Sequence, residues 1–313
     1  MKIAVIDDGV DIEDIKPGIV IKKSDCKISG SNTGVRHGSK VVCTIEKYNS
    51  SYKEYYIYDV ISGGDSAVKI IKALEELLTD KVDVILMSLI IHNKTYHHRI
   101  EELCRKLSKE GTIIVAAGAN RENNHAFPAC LDCVIGVGRA ACLNGVMIWN
   151  NEKDLQVLGD VTPEFVEAND SKFWLFSGTS KAAAIVAAKV MKYIELGNIG
   201  IESVLNMLKL ESGDTSANVI HSLEEQNCGT QLYDQYVYEE IIGIVKEMGY
   251  EVPEDGSNLI FESIVKNIDE LGLLIYKICL RLKCNIEITD MKYLEFRSIY
   301  DLTGYVGGLN EKK

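Results

Sequence analysis

Three short segments carry side chains whose types and order fit one reaction. AVIDDGVD sets Asp7 at the end of an apolar run, RHGSKVV sets His37 before a glycine, and SGTSKAAAIVAA sets Ser180 ahead of an alanine-rich stretch. Taken singly, each has a bland reading. A carboxylate at a strand end caps a turn or helix, a histidine before glycine is a surface or satisfied polar group, and Gly-Thr-Ser before a helix is an ordinary N-cap. In the order Asp, His, Ser they describe a nucleophilic triad. A serine hydroxyl needs a base to take its proton, and that base needs a carboxylate to orient it. A second constellation, the C-x-x-C of Cys130 and Cys133, could hold a metal, but no second pair stands at zinc-site spacing, since Cys279 and Cys284 lie far along the chain. The surrounding FPACLDCVIGVG reads as a turn feeding a buried strand, and free Cys is among the most buried residue types, so the pair is read as structural thiols.

The elements that must position these residues alternate. Residues 2–6, 54–60, 82–89, 112–117 and 133–137 are apolar runs of strand length, while 66–78, 98–109 and 181–196 have helical spacing. Alternation of this kind predicts an α/β fold, a doubly wound and mostly parallel sheet with helices on both faces, whose active site lies at the carboxyl ends of the strands. From about residue 231 the strand pattern stops, and 236–248, 269–283 and 294–306 read as helices. The expected organisation is a first domain over 1–215 and a small all-α domain over 231–313, with the boundary between about 210 and 232.

On the residues of its three segments, the chain resembles the subtilisin-like serine peptidases. That family reads Asp-(Thr/Ser)-Gly, His-Gly-Thr and Gly-Thr-Ser-Met-Ala-(Ala/Thr/Ser)-Pro. Here the strings are Asp7-Asp8-Gly9, His37-Gly38-Ser39 and Gly178-Thr179-Ser180-Lys181-Ala182-Ala183-Ala184. The resemblance runs from residue 1 to about 210 and takes in VDVILMSL and Phe127-Pro128-Ala129. It implies Ser180 as nucleophile, His37 as general base and then acid, and Asp7 as the carboxylate that holds the imidazole. It implies no cofactor and no catalytic metal. Many relatives bind calcium in inserted loops, and the short stretch between the His37 helix and the Glu54 strand argues that the best-known of those loops is absent.

Several positions depart from the family pattern. Asp8 replaces the usual Thr or Ser; kexin-like relatives share Asp-Asp-Gly, where the second Asp faces the substrate, so Asp8 is either a substrate-binding carboxylate or a turn cap. Lys181 stands in place of Met and is expected to snorkel or be solvated. The family's oxyanion-hole Ala-Gly-Asn appears as Ala116-Ala117-Gly118-Ala119-Asn120, so an ungapped alignment sets Ala119 at the Asn position. A one-residue bulge would restore Asn120 as the oxyanion donor, which is the reading adopted. Ser88, Leu89 and Gly118 correspond to substrate-binding positions, and Ile90, where the family has Gly, is expected to narrow the cleft.

Composition sets the outer limits. The 313 residues hold 34 Lys plus Arg against 46 Asp plus Glu, a formal charge of −12, which argues against non-specific binding to nucleic acid or to an anionic membrane. No apolar stretch is long enough for a membrane span. The start reaches aspartates by position 7 and does not read as a signal peptide, and nine cysteines without disulfide-scaffold density read as reduced thiols, so a cytoplasmic location is expected. Residues 231–313 hold 9 basic and 15 acidic residues. Residues 236–308 weakly resemble a four-helix acyl or peptidyl carrier domain, through Pro253-Glu254-Asp255, Asp269-Glu270-Leu271 and the IEIT segment. Carriers have Asp-Ser-Leu where this chain has Asp269-Glu270-Leu271, so Glu270 leaves no serine for a prosthetic arm, and the tail is read as a docking module for a possible protein partner. The expected function is restricted serine endopeptidase cleavage of a peptide or precursor-peptide substrate, such as leader removal from a ribosomally made, modified peptide. The rivals are a pseudoprotease that binds peptides, supported by Ala119, Ile90 and Glu270, and general protein turnover.

Overall fold

The computed structural model describes residues 1–24, 36–120, 126–140, 147–150, 155–198, 200–212, 234–250, 252, 268–288, 291, 293–296 and 298–310. They divide into two compact units. The first comprises Met1–Thr162, Val166–Lys172 and Phe176–His221, and the second Pro163–Phe165, Phe173–Leu175 and Ser222–Lys313.

In the first unit, β1 (Lys2–Asp7), β2 (Val20–Ser24), β3 (Glu54–Asp59), β4 (Val84–Met87), β5 (Ile113–Ala117), β6 (Ile135–Ala140), β7 (Ile148–Trp149) and β8 (Val157–Asp160) form one sheet. Its order is β2-β3-β1-β4-β5-β6-β8-β7, parallel throughout except that β7 runs antiparallel to β8. The chain proceeds to one side of β1 and then crosses to the other at β4. That reversal opens a crevice at the carboxyl ends of β1 and β4, where doubly wound sheets bind ligands. Ile3, Ala4, Val5 and Ile6 are wholly buried, as an apolar run covered on both faces should be.

Helices cover both faces. On one, α2 (Ser66–Asp80) and α3 (His97–Lys109) bring Ile70, Leu74, Leu77, Ile100, Leu103 and Leu107 against Ala4, Ile6, Ile85, Met87, Ile114 and Ala116. On the other lie α1 (His37–Tyr48), against β1, and α4 (Gly178–Glu195), against β4, β5, β6 and β8. Nearly every residue of α4 from Thr179 to Tyr193 is buried, so its alanines serve close packing against strands and α1 rather than propensity alone. α5 (Ile201–Glu211) follows. The sequence pattern passed over β2, β7, β8 and α5: the strands are short, and α5 buries only Val204 and Leu208, too few to set a clear period.

A two-stranded ribbon, β9 (Glu164–Glu167) with β10 (Phe173–Phe176), spans the division between the units. Phe165 and Leu175 of this ribbon belong to the core of the second unit, formed with α6 (Gln235–Glu247), α7 (Ile268–Leu282), α8 (Tyr293–Phe296) and α9 (Ile299–Asn310). Val237, Ile241, Ile244 and Val245 give α6 a buried stripe at helical spacing, and Asp234 Oδ1 caps it by accepting from Tyr236 N at 2.9 Å. Glu270 lies in the first turn of α7 and hydrogen-bonds Tyr250. The turn expected at Pro253-Glu254-Asp255 lies outside the described residues, as does the last residue of IEIT.

Candidate active site

Asp7 is the last residue of β1 and His37 the first of α1, so each sits where a strand or helix ends beside the crevice. His37 Nδ1 lies 2.9 and 2.8 Å from the two carboxylate oxygens of Asp7. Asp7 is 4% exposed and also accepts from Asp8 N at 2.8 Å. Burial pushes its carboxyl above the ordinary range despite the adjacent imidazole. Burial also pulls His37 down, but the hydrogen bond and charge of Asp7, with the charge of Asp8, outweigh it and leave the imidazole pKa raised above 6.5. The pair therefore fixes the tautomer: Nδ1–H faces the carboxylate, and Nε2 is left to exchange a proton.

Asp8 is occupied by the backbone. Its Oδ2 accepts from His37 N at 2.9 Å and its Oδ1 from Gly38 N at 2.8 Å. Both oxygens satisfy first-turn amides that α1 cannot satisfy itself, and Arg36, the residue before the helix, supplies no side-chain cap. Asp8 therefore caps α1. Arg36 binds the same corner, through Nε to Asp11 at 3.0 Å, through Nη1 to Asp59 at 3.1 Å and through Nη1 to the Asp8 carbonyl. Gly38 is required by close approach, since a Cβ there would stand 2.2 Å from the Gly9 carbonyl oxygen. Arg36 went unremarked in the sequence, although it directly precedes the motif histidine.

Ser180 is the third residue of α4 and half-buried. The helix begins three residues before the sequence pattern suggests, which sets Ser180 inside the first turn, among the amides that lack intrahelical acceptors. Phe176, four residues earlier, packs edge-on against His37, with ring centroids 5.3 Å apart and planes at 79°. Among the described residues, His37 and Ser180 share no hydrogen bond; such bonds commonly tighten only when substrate is bound.

Asn120, rather than Ala119, reaches the turn that carries Ser180. Its Oδ1 accepts from Thr179 N at 2.8 Å and lies 3.0 Å from Thr179 Oγ1. A backbone N–H can only donate, so the amide orientation follows, and the Nδ2 donors remain at an exposed residue. Thr179 Oγ1 also lies 2.8 Å from the Gly118 carbonyl, so its single hydrogen is divided between two acceptors. Gly178 makes this approach possible: it has φ +85°, and a Cβ there would fall 2.8 Å from Asn120 Oδ1. Gly118 itself donates to the Val137 carbonyl at 2.8 Å, so both its backbone groups are used within the protein.

Ser88 follows β4 at the crevice, 7% exposed, with an Oγ that has no partner among the described residues, and Leu89 packs partly against the core. Lys181 differs most from expectation. It is neither snorkelling nor solvated: it is fully buried, and its Nζ lies 3.0 Å from Asp160 Oδ2. Cys43, Cys104, Cys130, Cys133, Cys279 and Cys284 are not in disulfides. Burial pushes Cys43 up to about 12 and also raises Cys104 and Cys133, as befits packing groups. Among the described residues no cluster of three or more metal-ligating side chains occurs, and no helix is long and apolar enough to cross a membrane.

Comparison with known proteins sets the chain in one class, the serine endopeptidases of the subtilisin type. A family model described as the subtilase family matches residues 1–199, and the chain belongs to that family. Among solved structures, "S41 Psychrophilic Protease" is similar at a TM-score of 0.51 and 17% identity, covering 67% of this chain and 82% of that one. "Sphericase" is similar at 0.50 and 17%, with the same coverage of 67% and 82%. "Crystal Structure of a Lanthipeptide Protease" scores 0.49 at 19% identity, covering 66% and 78%. At these identities the likeness to the first two shows the fold. A search of curated proteins found no match.

Proposed function

We propose that Ser180, His37 and Asp7 act as the catalytic triad of a serine endopeptidase of restricted specificity. The observation that carries this reading is the pair of contacts, at 2.9 and 2.8 Å, between His37 Nδ1 and the buried Asp7 carboxylate. In the reaction, Ser180 Oγ attacks the scissile carbonyl while its proton passes to His37 Nε2. Asp7 stays ionised and stabilises the imidazolium. The negative charge that develops on the carbonyl oxygen is met by the Ser180 backbone N–H and by Asn120 Nδ2. The C–N bond then breaks, His37 returns the proton to the leaving amine, and a water activated by His37 hydrolyses the acyl-enzyme.

The substrate on this reading is an extended peptide segment that meets the residues after β4, where Ile90 is half-buried and bulkier than the Gly of the family pattern. Leader removal from a peptide precursor is the biological role we favour, on the ground that a second compact helical unit accompanies the peptidase unit. The six cysteines among the described residues, none of them in a disulfide, fit a reducing, cytoplasmic setting. The binding-only alternative loses one of its three supports, because Asn120 rather than Ala119 lies against the Ser180 turn.

Labelling with a fluorophosphonate probe tests the reading. The purified protein should label, and Ser180→Ala should abolish labelling while leaving the fold intact. Folded wild-type protein that stays unlabelled would overturn it.

A further inference from the structure

The residues on either side of Ser180 are each fastened to a different strand end. Thr179, before it, bonds Gly118 and Asn120, immediately beyond β5. Lys181, after it, reaches Asp160, the last residue of β8. The Asp160 carboxylate is itself held: Thr162 N and Oγ1 donate to its Oδ1 at 3.0 and 2.8 Å. Lys181 is 0%, Asp160 8% and Thr162 8% exposed. The backbone follows the same course, with Gly178 N donating to the Val161 carbonyl at 3.0 Å.

We propose that the Lys181–Asp160 pair is a positioning clamp for the nucleophile, which fixes the setting of the first turn of α4 against β8. This rests on the triad reading above. The physical case is a comparison of costs. Moving two charges out of water is expensive, and an apolar pair of similar volume is often as stable or more so, so global stability is a poor reason for this pair. What an ion pair supplies and an apolar contact does not is direction. A 3.0 Å contact to a carboxylate already held by Thr162 tolerates little rotation of the helix start. Ser180 lies between this fastening and the one at Thr179. A rotation of the turn would move its Oγ and its backbone N–H together, away from His37 and from the reacting carbonyl. Misplacement by about 1 Å can cost on the order of 100-fold in rate. Neither Lys181 nor Asp160 is assigned contact with substrate; both act through Ser180.

The test uses the full chain and the double variant Lys181→Met with Asp160→Leu, which removes both charges of the pair. Two quantities are read: the limiting rate and half-saturation concentration of fluorophosphonate labelling, and amide hydrogen exchange across residues 178–182. The expected result is a limiting rate lower by about ten-fold or more with half-saturation unchanged, an unaltered pH midpoint, and faster exchange in the first turn of α4. Lys181→Met alone, which strands Asp160, should be less stable than the double variant. A folded double variant with wild-type labelling and wild-type exchange would overturn the clamp. Wild-type protein that does not label would overturn the triad reading instead, and exchange at 178–182 would still read the clamp.

Discussion

At the β1–α1 corner, Asp7, Asp8, Arg36, His37 and Asp59 form a network of charged groups on the backbone that carries them. At the α4 corner, Ser180 is set by neutral hydrogen bonds from Thr179 on one side and one buried ion pair on the other. The first corner stores charge: its carboxylates raise the His37 pKa and satisfy the helix amides. The second stores geometry: it holds a hydroxyl and two N–H donors without a net charge of its own. Substitutions at the first should therefore change how activity depends on pH, and those at the second should change rate at every pH.

The largest effect separating the corners is expected from Asp7→Asn. An amide cannot enforce the same tautomer, and kcat should fall by about 10⁴-fold. The pH profile should move as well. His37 acts as a base only when neutral, and its pKa is raised, so wild-type kcat/KM should fall as pH drops through a midpoint above 6.5. Without the Asp7 charge that midpoint should shift downward, and an unmoved acid limb would refute the comparison. Next in size is Asn120→Ala, which should lower kcat by about 10²–10³-fold through loss of an oxyanion donor, with the acid limb unchanged. Equal rates for this variant and wild type would return the donor role to another group. The smallest effect is expected from Asp8→Asn. One of the two amides it caps would lose its acceptor, costing about 1 kcal/mol in denaturant unfolding, with KM for a basic residue beside the cut little altered. A large KM change limited to basic substrates would show that Asp8 also faces substrate.

Much of the first corner was legible in the residues, because Asp7-Asp8-Gly9 and His37-Gly38 are short strings at element ends. Their capping geometry was not, since an Asp just beyond a strand can cap a helix 29 residues away only once the sheet brings the two together. The same limit accounts for the helix start at Gly178. Propensity disfavours Gly and Thr in a helix, but the acceptors on Asn120 and Gly118 hold that turn in place.

The alternation of buried strands and amphipathic helices, and the ordered Asp, His and Ser motifs, were determined by the sequence itself, because periodicity and local turn chemistry are properties of neighbouring residues. Three matters were decided only by the tertiary structure: that Asn120 rather than Ala119 reaches the turn that carries Ser180, that Asp8 caps α1, and that Lys181 is buried against Asp160. Each depends on partners brought together by strand order, 59 residues apart for Thr179 and Asn120 and 21 for Lys181 and Asp160. A side chain's own type says what it can bond, and the sheet decides what lies within reach.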